Sequence, residues 1–132
     1  MATNLNVTEL DFDQIKSLKG IGDYTASAIA SICFGQDQAV VDGNVYRVLS
    51  RVFGMDQPID VSAAHRIYKE KAQHLMQGAP PGDFNQAIME FGALQCVPKN
   101  PICQDCIFVK DCVAFQQAKV GLLPIKAKKV KV

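Results

Sequence analysis

Four of the chain's five cysteines, Cys96, Cys103, Cys106 and Cys112, fall within seventeen residues at the spacing C-x6-C-x2-C-x5-C. No other feature limits the fold so strongly. A segment this short, rich in proline and cysteine, cannot order itself around a core of its own; it gains order when its thiolates converge on a metal centre. Soft sulfur ligands suit zinc or an iron–sulfur cluster, and on chemistry alone zinc held by four cysteines is the commoner solution. Disulfides would be the use of such a set in a secreted chain. The N-terminus, Met1-Ala2-Thr3-Asn4-Leu5-Asn6, is polar and lacks the charged start and apolar run of a signal peptide. No stretch reaches the roughly 18 apolar residues of a membrane span. The expected setting is the reducing interior of a cell, with no membrane partner. The fifth cysteine, Cys33, lies in an apolar helical stretch and reads as a core residue.

Ahead of the cluster the apolar spacing is helical and strand signals are weak. Asp11 to Leu18 is expected to form a short helix with Phe12, Ile15 and Leu18 on one face, followed by a tight Lys19-Gly20-Ile21-Gly22 turn. A second helix runs from about Asp23 to Phe34, where Ala26, Ala28 and Ala30 allow close packing and Gly35 is the stop. Asp42 opens a third, with Val41, Val45, Val48, Leu49 and Val52 at helical spacing, and Gly54 ends it. Ser62 is the expected cap of a fourth helix to about Met76, and Asp83 that of a fifth with Phe84, Ala87, Ile88, Phe91 and Leu94 as its apolar face. The fold class is all-α. A net charge of +1 does not by itself announce a nucleic-acid binder, although Lys119, Lys126, Lys128, Lys129 and Lys131 crowd a tail that reads as solvated and frayed.

Two further motifs bear on chemistry. In Leu18-Lys19-Gly20-Ile21-Gly22-Asp23-Tyr24-Thr25-Ala26 the glycines permit a turn with positive φ and leave room for a close neighbour. The helix after them points free N–H groups out of its first turn, an anion site that a DNA phosphate fits, although an ordinary helix–helix turn has the same pattern. In Val40-Val41-Asp42-Gly43-Asn44-Val45-Tyr46-Arg47-Val48, Asp42 is first of all a helix cap. A carboxylate there also suits a reaction that develops positive charge on a sugar. His65 and His74 read as exposed side chains, and Asn85 and Glu90 as structural.

The three motifs, in their chain order of hairpin, Asp42 segment and cysteine cluster, resemble the endonuclease III, or helix-hairpin-helix, superfamily of DNA glycosylases. Asp42-Gly43-Asn44-Val45 and the run Phe84 to Ala93 resemble its A/G-specific adenine DNA glycosylases, and the likeness extends from about Phe12 to Leu123. The resemblance implies a partial helix-hairpin-helix glycosylase fold with a C-terminal [4Fe–4S] cluster loop held by Cys96, Cys103, Cys106 and Cys112. It implies a helical portion over 1–95, the cluster loop and last helix over 96–118, and a Lys-rich linker over 119–132. Gly20, Ile21, Gly22, Tyr24 and Thr25 would contact DNA. Asp42 would be the catalytic carboxylate, with Asn44 and Tyr24 around it. Tyr24 stands where bifunctional members carry a Schiff-base lysine, which implies a monofunctional glycosylase. The implied substrate is double-stranded DNA with adenine opposite 8-oxoguanine or guanine, in a bacterial cytoplasm at the nucleoid or in a nucleus. Lys19 departs from the family's usual proline. The family's general-acid Glu and its C-terminal recognition domain have no counterpart in the sequence. The resemblance therefore implies a fragment inactive alone, with bare apolar faces and a tendency to self-associate. A non-catalytic DNA-binding module and a thymine-mismatch glycosylase are the other readings of the same motifs.

Overall fold

Capping chemistry sets several helix boundaries in the computed structural model, which describes residues 10–128. Asp11 and Gln14 form a reciprocal capping box at the start of α1 (Phe12–Lys16). Asp42 caps α3 (Gly43–Phe53) by accepting from the Val45 N–H at 2.9 Å. Helix α2 (Asp23–Phe34) ends at Gly35 and α3 at Gly54, both left-handed with φ of 64° and 65°. Two expected caps fail. Helix α4 (Ala64–Met76) starts behind Ala63, and Ser62 makes no cap. Helix α5 (Pro81–Leu94) starts before Asp83, because Pro81 has the fixed φ and missing N–H that suit a first helical position. Asp83 sits in that first turn instead. Helix α1 is also shorter than expected: the chain turns after Lys16, with the Ser17 hydroxyl donating to the Gln14 carbonyl at 2.6 Å. A 3₁₀ turn at Cys103–Asp105, the short α6 (Val113–Gln116) and a 3₁₀ turn at Val120–Leu122 complete the described residues, which contain no strand.

Helix α5 lies between α2 and α3, α1 packs on α2, and α4 and α6 pack on α3. The larger core gathers Val41, Val45 and Leu49 with Ala64, Tyr68 and Met76. A smaller one holds Ile15, Ala26 and Ala30. Close backbone approach sets both α5 contacts. A Cβ on Gly82 would lie 3.1 Å from the Ile32 Cα and the Ser31 carbonyl oxygen, and one on Gly92 would lie 2.8 Å from the Asn44 Cβ. Asn85 bridges the elements from a fully buried position, accepting from the Val40 N–H (3.0 Å) and donating to the Ser31 hydroxyl and the Gln38 carbonyl (both 2.8 Å). A buried amide satisfied in this way specifies one arrangement of its neighbours. Asp23 joins three helices, pairing with Lys16, with His65 at 3.0 Å and with Lys69 at 3.3 Å. Burial would raise its carboxyl, but the Lys69 and His65 charges hold it below the usual carboxylate value.

Two expectations need correcting. Cys33 is exposed on the outer face of α2 and is no core residue. The segment after α6 is laid down instead of fraying. Leu123 is buried, Ile59 donates to the Ile125 carbonyl at 2.9 Å, and Asp60 accepts from the N–H groups of Ala127 and Lys128. Lys129, Lys131 and the N-terminal Met1 to Asn6 lie outside the described residues. The apolar face of α5 is only partly covered. Phe84, Ile88 and Phe91 line an open groove of about 520 Å³ with Val48, Leu75 and Phe108. No helix among the described residues is long and apolar enough to cross a membrane.

Candidate functional site

Asp42 stands at the head of a continuous hydrogen-bond chain. One carboxylate oxygen accepts from the Val45 N–H and the other from the Asn44 amide at 3.3 Å. The Asn44 carbonyl oxygen accepts from the Arg47 guanidinium at 2.9 Å. That guanidinium also donates to the Gly92 carbonyl at 2.6 Å and, through Nε, to the Cys96 carbonyl at 2.7 Å. The carboxylate is thus linked through Asn44 and Arg47 to the backbone of the first clustered cysteine. Burial lowers the Arg47 pKa, and the neighbouring Arg51 lowers it further; Cys96 and Asp42 pull it back. Gly92 has to be glycine for this arrangement, since a Cβ there would strike Asn44 and the Val48 side chain.

The hairpin between α1 and α2 is an exposed tip. Gly20 has φ of 84° and needs glycine's conformational freedom. Gly22 does not make a positive-φ turn: it caps α2 in an extended conformation at φ of −90°, with open space where a Cβ would sit. No side chain caps α2, so its first-turn N–H groups face outward beside exposed Lys19, Tyr24 and Thr25, while Ile21 packs inward on the smaller core. Tyr24 is 47% exposed and shares no hydrogen bond with Asp42 or Asn44. The structure therefore joins Asp42 to Asn44 directly, and it leaves Tyr24 on the hairpin surface.

Cys96, Cys103, Cys106 and Cys112 border one cavity, closed by Phe91, Val109 and Phe115. Among the described residues no three of these thiols converge closely enough to hold a single ion. Burial pushes the Cys103 thiol up, and the adjacent Cys112, Cys96 and Cys106 sulfurs push it further; Arg51 draws it back. Such mutual repulsion is expected of thiols gathered for a metal centre. Arg47, Arg51 and Gly92 were missed by the sequence analysis. The signal was available: two arginines one helical turn apart, on a helix otherwise valine-rich, mark charges turned toward the protein.

No family model matches the chain. The fold, however, is similar to solved DNA glycosylases. A thermostable thymine-DNA glycosylase superposes with a TM-score of 0.73 at 34% identity, over 81% of this chain and 49% of that one. An endonuclease III–DNA covalent intermediate superposes with a TM-score of 0.67 over 82% of this chain and 49% of the other. The fold class is accordingly that of the helix-hairpin-helix DNA glycosylases. In sequence, the chain is 49% identical over 108 residues to the mouse adenine DNA glycosylase, covering 80% of this chain and 21% of the mouse protein. It is 35% identical over 103 residues to a thymine/uracil-DNA glycosylase of Methanothermobacter thermautotrophicus, of which it spans 46%. The chain is thus similar in sequence to adenine DNA glycosylases and spans less than half the length of these relatives.

Proposed function

We propose that this chain is the part of an adenine DNA glycosylase that carries the catalytic carboxylate, the phosphate-gripping hairpin and a [4Fe–4S] loop. The activity it serves is hydrolysis of the N-glycosidic bond of adenine opposite 8-oxoguanine or guanine in duplex DNA, in a bacterial cytoplasm or a nucleus. The observation that carries the proposal is Asp42 at the N-terminus of α3, oriented by the Val45 N–H and by Asn44, which Arg47 holds in turn. The target base has to leave the stack to be reached. Breaking its bond develops positive charge on the sugar, and a fixed carboxylate stabilises that cation or attacks it. Tyr24 cannot form a Schiff base, so no lyase step is assigned to it. The outward N–H groups of α2 and the Gly20–Gly22 hairpin suit a DNA phosphate.

Cys96, Cys103, Cys106 and Cys112 would hold the cluster. Supporting this, the four thiols border one cavity, and soft sulfur ligands suit such a centre. When bound, the cluster supplies order to the loop over 96–112; glycoside hydrolysis itself transfers no electrons. Anaerobically purified protein should be brown and contain iron and sulfide. Colourless protein carrying zinc would reject the cluster.

Among the described residues no second carboxyl group hydrogen-bonds to Asp42, Asn44 or Arg47. Protonation of the leaving base contributes on the order of 10²–10⁴ in rate, so these 132 residues alone are expected to leave adenine in place. The test is single-turnover excision from a duplex with adenine opposite 8-oxoguanine, with and without a supplied segment carrying the acid. Excision on complementation, abolished by Asp42→Asn, supports the proposal. Excision by the chain alone would place the acid within it, and none under either condition favours a DNA-binding module. The 34% identity to a thymine-DNA glycosylase of the same fold favours a second reading, which a parallel duplex with thymine opposite guanine tests.

A further inference from the structure

Arg51 is 2% exposed, and none of its guanidinium contacts is to a carboxylate. Its Nη1 donates to the Val97 carbonyl at 2.7 Å and lies 3.4 Å from the Cys96 sulfur. Its Nη2 donates to the Pro98 carbonyl at 2.9 Å and its Nε to the Leu123 carbonyl at 3.1 Å. The backbone of the same residue meets the last clustered cysteine: the Cys112 sulfur lies 3.4 Å from the Arg51 carbonyl oxygen. Arg51 therefore touches the first and the last cysteine of the set and the segment that follows them. A buried charge is tolerated when a counter-charge and hydrogen bonds compensate for its lost water. The carbonyls provide the hydrogen bonds. No Asp or Glu among the described residues forms an ion pair with Arg51. The anions in reach are the cysteine sulfurs, and a centre built on four thiolates carries net negative charge whichever metal it holds.

We infer that Arg51 is the built-in counter-cation and hydrogen-bond donor of the four-cysteine centre, a positioning residue that fixes Cys96 and sets the centre's redox potential and retention. The inference rests on the proposed cluster but also covers zinc. Hydrogen bonds and charge at the sulfurs tune cluster potentials, and partners in contact with ligands typically alter metal affinity by about 10–100-fold. A guanidinium beside Cys96 stabilises the more reduced, more negative state, so removing it makes the potential more negative. The carbonyl contacts alone would make Arg51 a brace of the loop; a brace has no reason to change the potential of a cluster that stays bound.

The experiment uses the full chain, purified anaerobically, as wild type, Arg51→Gln and Arg51→Lys, with helix content checked by circular dichroism. Iron per chain, the rate of iron loss in air and the midpoint potential by protein-film voltammetry are compared. The expected result is a more negative potential and at least tenfold faster iron loss for Arg51→Gln. Arg51→Lys keeps the charge and should stay nearer the wild-type potential while losing iron faster, because it lacks the fork. Equal potentials and equal retention in all three overturn the inference. If Arg51→Gln does not fold, Arg51→Lys decides through the potential: a midpoint shifted to more negative values as the cation moves off the Cys96 sulfur supports the inference, and a wild-type midpoint, with or without faster iron loss, overturns it. A wild type that holds zinc and no iron rejects the cluster reading alone. In that case zinc affinity by chelator competition is the readout: weakening of about tenfold or more in Arg51→Gln supports the counter-cation, and unchanged affinity overturns it.

Discussion

Single glycines do different work in this chain, and their backbone angles separate them. Gly20 sits at φ of 84°, where a side chain is strained by about 1–2 kcal/mol. Gly20→Ala should therefore lower the melting temperature, and DNA binding should weaken with the distorted hairpin. Gly22 is extended and has open space around its absent Cβ. Gly22→Ala should leave the melting temperature unchanged yet weaken DNA binding, because its added methyl stands where the phosphate would approach α2. Thermal melts paired with fluorescence anisotropy check both; wild-type affinity in the second variant would move the phosphate site away from the hairpin. Gly92 is constrained by packing. Gly92→Ala overpacks the contact with Asn44 and should cost about 1–3 kcal/mol. It should also displace Asn44 from Asp42, which denaturant titration and the Asn44 side-chain amide NMR signal would report. The motif Phe84 to Ala93 was legible as a unit, but the reason for its glycine was not, since Asn44 lies 48 positions earlier in the chain.

At the scale of elements, the loop over 96–112 depends on its metal centre most directly. Apart from contacts to Phe91 and the two arginines it has little apolar burial, and Ile102 and Ile107 are 62% and 81% exposed. Metal removal should raise amide hydrogen exchange there before it does so in α3 or α5. The Cys103 thiol is raised above its ordinary value of 9.0 by burial and by its neighbouring sulfurs. A raised value means that the metal-free fold prefers the neutral thiol. Its contribution to stability is present below the ordinary thiol range and is lost as pH rises through the raised value. Loading the centre reverses this preference, because the ligands must be thiolates and binding releases protons. Metal-free protein should therefore lose stability at alkaline pH while reconstitution improves. Reconstitution that worsened steadily with pH would contradict this ligand set. Helix boundaries were legible wherever a side chain or a left-handed glycine made the cap, as at Asp11, Asp42, Gly35 and Gly54. They were missed at Ser62 and Asp83, where proline geometry and packing placed the first turn.

For the whole molecule, the apolar surface over α5 and the cluster loop bears on assembly. Phe84, Ile88, Phe91 and Phe108 line a groove of about 520 Å³, and Ile107, which also lines it, is 81% exposed. Contiguous exposed apolar surface of this kind marks a contact surface. The purified chain should accordingly self-associate as its concentration rises. Sedimentation velocity over a hundredfold dilution range checks this, and Ile107→Glu should shift the chain toward monomer. Wild-type protein that stays monomeric throughout would remove the groove as a contact surface.

The sequence by itself determined the all-α class, the hairpin and the clustering of four cysteines, because each depends on residues close together in the chain: helical periodicity, a Gly-x-Gly turn, a short C-x6-C-x2-C-x5-C loop. Only the tertiary structure decided how these pieces are coupled. The chain from Asp42 through Asn44 and Arg47 to Cys96, the enclosure of Arg51 by Val97, Pro98 and Leu123, and the strap from Leu123 to Lys128 across Ile59 and Asp60 all join residues tens of positions apart. Such contacts follow from which buried donors and charges have to be satisfied once the helices are packed, and no local pattern encodes that requirement.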